Sequence, residues 1–306
     1  MTALLKPGTL AQAIQTRTES AIACGALRTI ETEQHCLEQD SISFVVRVAA
    51  NLQRKAREKQ RLDHQTQPAD PFLPPEPALT LGQIGDSHLA VLNKFNVVER
   101  HLLLVTRRFE DQQRLLTRAD FAALWQCLQA FPSLGFYNGG VAAGASQAHK
   151  HLQLVPLPIY PGNYAFPFEP RFAATPRDAG MMQLPWLPFR HSWCHLPCAI
   201  GDSDSAAVNA IHRRYMEMLA ATGISPLDAD DGERQSAPYN FLMTDRWMLL
   251  VPRSRECSAG ISVNGLGYVG SLFVPNRQGL DALRHLGPMQ LLIDVSVSDA
   301  KSQGGD

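Results

Sequence analysis

The stretch "NGGVAAGASQAHKHLQLVPLP", residues 138–158, runs from a glycine-rich turn directly into an apolar segment with the character of a β-strand. Side chains along a strand alternate between its two faces. His149, His151 and Gln153 therefore share one face, and the intervening residues, two of them leucines, share the other. The leucine face is expected to lie in a core. Two imidazoles and a carboxamide on the opposite face need a further explanation, because polar groups are costly to bury without partners.

The His-x-His pattern by itself leaves three interpretations open. The first is an ordinary pair of hydrogen-bonded histidines. The second is a metal site, which would need a third ligand from His88, His101 or the segment "HSWCHLPC" at 191–198. The spacing selects none of these, and along a strand the segment 191–198 would divide its ligand types between two faces, which favours a structural role over zinc.

The third interpretation is phosphorus chemistry, and it also accounts for the glycines. Gly140 and Gly144 would let the backbone approach a phosphate, while Asn138 and Ser146 would donate hydrogen bonds to its oxygens. An imidazole with a pKa of about 6.5 is mostly neutral at pH 7 and can attack phosphorus without a separate base. This reading predicts a nucleophilic histidine beside a phosphate-binding turn.

Composition limits the class of protein. The 306 residues carry a net charge of −1, with 45% hydrophobic and 19% charged residues, which indicates a globular chain without a broad nucleic-acid-binding surface. No apolar run approaches the roughly 20 residues of a membrane helix. The six cysteines show no disulfide-like spacing, so a reducing compartment, the cytoplasm, is expected.

Helical and strand patterns alternate irregularly, which predicts an α+β fold. Thr117 and Asp120 form a capping-box-like start to a helix that Pro132 ends. The other predicted elements are helices at 10–24 and 206–223, a strand at 42–48, a hairpin of strands at 88–95 and 101–106, and strands at 134–138 and 149–156.

Several separated motifs carry a family resemblance. Asn138-Gly139-Gly140, Gly144, Ser146 and His149-x-His151-x-Gln153 resemble the signature of the histidine-triad (HIT) superfamily, in the branch whose third histidine is a glutamine. Within that branch, "DPFLPPEP" (70–77), "VLNKFNVVERHLLLVTRRFEDQ" (91–112) and "YNFLMTDRWMLLVPRS" (239–254) resemble the diadenosine tetraphosphate phosphorylase (ATP adenylyltransferase) family. The uridylyltransferases of the same branch typically carry His-Pro-His-Gly-Gln, where this chain has His-Lys-His-Leu-Gln.

The resemblance implies phosphorolysis of diadenosine tetraphosphate to ATP and ADP through a covalent adenylyl-histidine. His151 would be the nucleophile, and Gln153 would donate a hydrogen bond to the non-bridging phosphate oxygens. His149 would orient the site by keeping the second nitrogen of the nucleophile protonated, and Asn138 and Ser146 would hold phosphate oxygens. A galactose-1-phosphate-type uridylyltransferase and a dinucleotide-binding protein without catalysis are the alternatives.

Further substrate contacts follow from the same resemblance. Asn93 would lie near the ribose and Lys94 near the phosphates, although a polar pair at a strand end is often a turn. Lys55, in a basic helical stretch, would steer the polyphosphate, although such runs are often solvated helix faces. Arg253, after an apolar strand, would reach the polyphosphate or lie at an exposed hairpin end.

The implied architecture is a HIT-like antiparallel sheet with flanking helices, in which a C-terminal extension completes the nucleotide site. The expected division is a catalytic region at 1–175 and an ATP adenylyltransferase region at 176–306, unless both share one compact fold. Mg²⁺ would bind through the polyphosphate, with no dedicated metal ligands on the protein. The expected partners are small nucleotides and phosphate, with no nucleic acid or membrane, and the oligomeric state stays open.

Overall fold

The computed structural model describes residues 4–5, 8–49, 70–197, 204–230 and 232–299. Short 3₁₀ turns at Val141–Ala143 and Gly265–Val269 supplement the helices. The helices are α1 Leu10–Ala23, α2 Arg118–Ala130, α3 Glu169–Ala173, α4 Asp204–Thr222, α5 Arg277–Leu286 and α6 Pro288–Val295. The strands are β1 Thr32–Gln39, β2 Ile42–Ala49, β3 Thr80–Ile84, β4 His88–Leu92, β5 Leu102–Thr106, β6 Ser133–Gly139, β7 His151–Pro156, β8 Ser192–His195, β9 Pro226–Leu227, β10 Arg234–Gln235, β11 Tyr239–Met243, β12 Trp247–Pro252, β13 Cys257–Ser258, β14 Ile261–Ser262 and β15 Ser271–Val274.

The main sheet is antiparallel and has eight strands in the order β3-β4-β5-β7-β6-β11-β12-β8. The centre of this sheet is the strand β7, with β5 on one side and β6 on the other. A central strand is held by hydrogen bonds on both edges, so it provides a rigid support for side chains on its faces. The fold class predicted from the sequence, α+β with an antiparallel sheet, is confirmed.

One face of this sheet packs against helices. Leu152 and Leu154 of β7 are fully buried in the same apolar cluster as Leu124 of α2 and Ile211 of α4. Burying such a side chain contributes roughly 1.5–3 kcal/mol. The expectation that the leucine face of this strand lies in the core is therefore confirmed.

The opposite face packs against a second layer. Phe136 and Val155 lie there in a separate apolar cluster with Val46 of β2 and Leu272 of β15. These two outer strands are parallel neighbours in a three-stranded sheet with the order β1-β2-β15. The face of β7 that carries His151 and Gln153 therefore also carries Val155, which packs in the apolar cluster of this second layer.

Most of the elements that local sequence signals predict are present in the structure. The Thr117 side chain accepts from the Asp120 backbone while Asp120 accepts from the Thr117 backbone, so the predicted capping box is present at the start of α2. The predicted helices at 10–24 and 206–223, the hairpin of β4 and β5 and the strands β2, β6 and β7 are also found, with ends within a few residues of those expected.

The division at 175/176 falls between α3 and β8, but the main sheet continues across it. Strand β6 from the first part pairs with β11 from the second, in the register Asn138 opposite Asn240. The two parts therefore share one sheet, while the position of a domain boundary remains a prediction. Within the described ranges, no helix is both long and apolar enough to span a membrane.

Candidate active site

His151 begins β7 and is 3% exposed. Its Nδ1 lies 2.8 Å from the carbonyl oxygen of His149. Since a carbonyl oxygen only accepts, Nδ1 must carry the hydrogen, and Nε2 keeps the lone pair when the ring is neutral. Burial lowers the pKa of His151 to about 4, so the ring is neutral at pH 7. The geometry and the charge state are those of an imidazole ready to act as a nucleophile.

His149 is oriented by groups that sequence reasoning did not identify. Its Nδ1 lies 2.7 Å from Oδ2 of Asp70, and its Nε2 lies 2.8 Å from the carbonyl oxygen of Thr106. Phe72 packs against both imidazole rings, with ring centroids 5.6 Å from His149 and 5.4 Å from His151. The proline-rich segment that begins at residue 70 is therefore part of the site.

The orientation of the nucleophile thus comes from the backbone of His149 and not from its ring. The ring of His149 instead joins the strand to Asp70 and Thr106. The predicted outcome, a protonated second nitrogen on His151, is present, but the chemical group responsible differs. A sequence pattern specifies which residue is nearby and does not say which of its atoms makes the contact.

The side chain of Gln112 lies between β6 and β7 next to His151. The ladder between these strands reaches the pair Phe136 and Gln153. Beyond this pair, the Gln112 side chain donates to the carbonyl oxygens of Asn138 and His151, at 2.9 and 3.2 Å, and accepts from the His151 backbone at 2.8 Å. A side-chain amide thus replaces the backbone ladder and supports the start of β7. Sequence reasoning missed this residue, because a lone glutamine has no distinguishing spacing.

Gln153 is half-buried on the same face of β7 as His151. The cross-strand neighbours of these two residues in β5 are Leu103 and Val105. Two sequence-predicted residues are therefore brought together as expected from the period of a strand, and the Gln153 carboxamide lies on the face that carries the nucleophile.

Asn138 is fixed by residues of the C-terminal half. Its Oδ1 accepts from Nδ2 of Asn240 at 2.8 Å and from the backbone of Gly265 at 3.0 Å. Its Nδ2 lies 3.5 Å from the carbonyl oxygen of Gly144, which is a weak contact. The acceptor end of the amide is thus occupied, and the donor end faces the glycine-rich turn.

The glycine-rich turn contains two backbone conformations that favour glycine. Gly140 has φ +92° and Gly144 has φ +87°. A Cβ at Gly144 would lie 2.8 Å from the carbonyl oxygen of Val263, so a side chain there would displace the C-terminal segment from the turn. Ser146 follows on an exposed part of this turn, where its hydroxyl is accessible to a ligand.

Asn93 and Lys94 follow β4 at the edge of the site. Asn93 Nδ2 lies 3.3 Å from Nδ1 of His101, and the Lys94 ammonium is paired with Glu76 at 2.8 Å. Lys94 therefore links the strand to the proline-rich segment in this structure. Lys55, the other lysine predicted to act on the polyphosphate, lies outside the described residues.

Arg253 occupies a different environment from the one expected. It is 2% exposed, and each of its five guanidinium hydrogens has a protein acceptor: Asn240 Oδ1 and the carbonyl oxygens of Val263, Val295, Arg255 and Glu256. No guanidinium hydrogen is left for a phosphate, and the residue is not at an exposed hairpin end. The expected polyphosphate contact is therefore replaced by a structural role that acts on the site through Asn240.

Lys150 extends to the face of β7 opposite the two histidines. Its fully buried ammonium lies 2.6 Å from Oδ2 of Asp120, whose Oδ1 lies 2.9 Å from Nε2 of His88. The positive charge of Lys150 and the hydrogen bonds from Lys150 and His88 keep the pKa of Asp120 below its usual range, against the opposing effect of burial. A buried ion-pair cluster therefore lies directly behind the catalytic strand.

The histidines of the segment 191–198 form hydrogen bonds with nearby backbone groups. His191 accepts at Nε2 from the Leu184 backbone at 2.7 Å, and His195 Nε2 lies 3.1 Å from the carbonyl oxygen of Pro176. In the part of the chain that the structure describes, no three His, Cys, Asp or Glu side chains are grouped so that they could hold a metal ion.

Comparisons with known proteins match most of this chain. The family model for the Ap4A (diadenosine tetraphosphate) phosphorylase N-terminal domain matches residues 1–174. The model for the ATP adenylyltransferase C-terminal domain matches residues 185–298. A phosphorylase of Saccharomyces cerevisiae, "Diadenosine 5',5'''-P1,P4-tetraphosphate phosphorylase 2", is 28% identical in an alignment that covers 90% of this chain and 90% of the yeast protein.

Solved structures agree with these matches. The crystal structure of yeast Ap4A phosphorylase Apa2 superposes with a TM-score of 0.74 at 26% identity, covering 94% of this chain and 97% of the other. The structure of the same yeast protein in complex with AMP gives a TM-score of 0.74 at 25% identity and covers 98% and 100% of the two chains.

The fold and the His-x-His-x-Gln strand, together with these matches, define a nucleotidyltransferase with a HIT-type sheet. Both halves of the chain match the two domains of one enzyme family in the same order. This chain belongs to the Ap4A phosphorylase family.

Proposed function

We propose that this protein cleaves diadenosine tetraphosphate with inorganic phosphate to give ATP and ADP, and that the reaction passes through an adenylyl group on His151. The observation that carries the proposal is the His151 ring, whose Nδ1 is held by the His149 carbonyl oxygen at 2.8 Å. Its Nε2 has no hydrogen-bond partner among the described residues, so this nitrogen is available for attack. The similarity to the yeast phosphorylases supports the choice of substrate.

The reaction is a double displacement. Nε2 of His151 attacks the α-phosphorus of the dinucleotide, the bond to the bridging oxygen breaks, and ATP leaves with that oxygen. Inorganic phosphate then attacks the same phosphorus, the phosphorus–nitrogen bond breaks, and ADP leaves while Nε2 regains its lone pair. The Nδ1 hydrogen stays in its bond to the His149 carbonyl in both steps, so it stabilises the ring when adenylylation makes it positive.

Polar groups around His151 stabilise the negative charge of the phosphate. Gln153, on the same face, donates from its NH₂ group to the non-bridging oxygens. The Asn138 amide donates from the end of β6 and Ser146 from the glycine-rich turn, where positive φ angles at Gly140 and Gly144 allow the backbone to approach closely. Donors aimed at developing negative charge contribute most in a site that excludes water, as the buried position of His151 allows.

We also propose that Mg²⁺ binds through the substrate, because a tetraphosphate offers several oxygens to the ion. Its chemistry would be to neutralise charge on the departing polyphosphate. We also propose a cytoplasmic location, which is supported by the described cysteines, Cys24, Cys36, Cys127, Cys194 and Cys257, being free thiols.

Product analysis tests the reaction. Incubation of the protein with diadenosine tetraphosphate, Mg²⁺ and phosphate should give ATP and ADP in equal amounts, and omission of phosphate should abolish ADP formation. AMP and ATP formed at the same rate without phosphate would identify a hydrolase and contradict the proposal. Binding of the dinucleotide without any products would identify a binding protein.

A histidine substitution tests the nucleophile. His151→Ala should lower kcat by a factor on the order of 10³ or more, because it removes the group that forms the intermediate. His285→Ala is the matched control, since His285 is exposed on α5 and bonds only within its helix. Substrate labelled at the α-phosphorus should leave an acid-labile, base-stable label on the wild-type protein and none on His151→Ala. Label on another residue would overturn this assignment.

A further inference from the structure

His101 is a buried histidine on the catalytic face that the reaction above does not use. It directly precedes β5, and its backbone carbonyl accepts from the Asn93 backbone at 2.8 Å, which continues the pairing of β4 with β5. The alternation along β5 places its side chain on the same face as Leu103 and Val105, the cross-strand neighbours of Gln153 and His151. Only 8% of the residue is exposed.

The contacts of His101 determine which nitrogen carries its hydrogen. Nδ1 lies 3.3 Å from Nδ2 of Asn93, and the other end of this amide, Oδ1, accepts from the Phe95 backbone at 3.3 Å. The Asn93 NH₂ group therefore faces the ring and donates to Nδ1. Burial lowers the pKa of His101 to about 4, with a smaller contribution from the nearby His151, so the ring is neutral at pH 7. A neutral ring that accepts at Nδ1 must carry its hydrogen on Nε2.

This Nε2–H group is a buried donor with no partner among the residues that the structure describes. None of their polar groups lies within hydrogen-bond geometry of it. Buried polar groups are nearly always hydrogen-bonded, and each exception needs an explanation. The ring is otherwise well packed, with its centroid 5.9 Å from that of Phe136, so it is held in place with its donor unused.

Gln153 is the neighbour that can accept this hydrogen. It lies diagonally across from His101 on the paired strands, a separation that a long side chain can span. The two side chains are close enough to influence each other, since Gln153 acts to raise the pKa of His101 against the effect of burial. The Gln153 amide is thus near the ring without an aligned bond to Nε2, and a small rotation of the half-buried amide would complete one.

We propose that His101 is a positioning residue, which donates from Nε2 to the Oε1 atom of Gln153 and so turns the Gln153 NH₂ group toward the phosphate oxygens of the bound nucleotide. A carboxamide has one donating and one accepting end. With Oε1 toward the phosphate it would repel the substrate, and with NH₂ toward the phosphate it stabilises the substrate's charge. The His101 hydrogen distinguishes these two orientations, and Asn93 fixes the His101 tautomer that supplies it.

This role rests on the proposed function of Gln153 as a phosphate donor, and a double-mutant cycle tests it. His101→Phe keeps a ring against Phe136 but removes the donor, whereas His101→Gln places an amide nitrogen near the position of Nε2. His101→Phe and Gln153→Ala should each lower kcat/KM for diadenosine tetraphosphate by about 10- to 100-fold, as losses of supporting hydrogen bonds typically do. The double variant should be no slower than Gln153→Ala alone.

The conservative variant and AMP binding complete the test. His101→Gln should recover most of the activity lost in His101→Phe, and the same cycle in calorimetric AMP affinity should show the same coupling. Multiplied losses in the double variant, full activity of His101→Phe, or no recovery in His101→Gln would each overturn the role of His101. The cycle can also show the coupling in AMP binding while the wild-type protein produces no ATP and ADP. That result would contradict the proposed reaction and leave this role intact.

Discussion

Asn240 of β11 donates its side-chain Nδ2 to Oδ1 of Asn138 in β6, at 2.8 Å, across the junction between the two halves of the main sheet. Asn240 in turn accepts at Oδ1 from the guanidinium of Arg253, at 2.6 Å. A buried arginine, an asparagine and the site asparagine therefore form one line of hydrogen bonds. The orientation of Asn138 at the glycine-rich turn is set by residues about 100 positions further along the chain.

Removal of Asn240 should weaken the site through Asn138. Asn240→Ala leaves a donor of Arg253 and part of the acceptor capacity of Asn138 unsatisfied, which we expect to lower the free energy of unfolding by about 1–3 kcal/mol. Because Asn138 then loses its fixed orientation, kcat should fall by roughly 10-fold. Urea unfolding and initial rates of ATP formation measure the two effects. Asn163→Ala, at an exposed position, is the control, and equal activity of the two variants would contradict the relay.

Arg253→Lys should affect stability more than substrate binding. Lysine has three donors and cannot reach five acceptors arranged around a planar group, so carbonyl oxygens would remain unpaired. We expect a loss of about 2–4 kcal/mol in the free energy of unfolding, and little change in KM for the polyphosphate. The exposed Arg255→Lys is the matched control. A large rise in KM in folded Arg253→Lys would instead support the phosphate contact that the sequence predicted, and would contradict a purely structural role.

The buried pair of Lys150 and Asp120 should show strong coupling. Lys150→Met leaves a buried carboxylate without its closest positive partner and should destabilise the protein by about 3–5 kcal/mol. Lys150→Met with Asp120→Asn removes both charges and should recover part of that loss. Thermal and urea unfolding measure the cycle. Additive effects of the two substitutions would show that the pair is not coupled.

Asp120 also contributes to the acid dependence of stability. Its pKa is lower in the folded protein than in the unfolded chain, so its stabilising effect is complete above the unfolded value of about 4 and is lost as the pH falls further. Asp120→Asn should therefore be less stable at neutral pH and lose less stability on acidification below pH 4. The exposed Asp281→Asn should keep the wild-type slope.

The buried histidines should make the stability of the protein depend on pH in a second, milder acidic range. The pKa of both His101 and His151 is lowered to about 4 by burial, whereas an unfolded chain binds these protons near pH 6.5. The unfolded state therefore binds more protons between these values, and stability should fall as the pH is lowered from about 6.5 to 4. Each histidine accounts for on the order of 3 kcal/mol at most. His151→Gln should show a shallower decline in urea midpoints, whereas His285→Gln should match the wild type.

Local patterns in the sequence were sufficient for the main elements and for the centre of the site. The alternation of His149, His151 and Gln153 predicted one polar face, because the period of a strand depends only on its own residues. The Thr117 and Asp120 capping box predicted the start of α2 for the same reason. Glycines at 140 and 144 predicted a turn, and both adopt positive φ.

Only the tertiary structure decided which distant groups complete the site. Asp70 and Gln112 bond His149 and His151, His101 lies beside Gln153, and Asn240 holds Asn138. These residues come from four separate segments, and no single segment carries a signature of how they meet. Arg253 shows the same limit, since its residue type is suited to phosphates but its surroundings already supply five acceptors. A sequence specifies what a side chain can donate or accept, whereas the order and register of strands determine what lies within 3 Å of it.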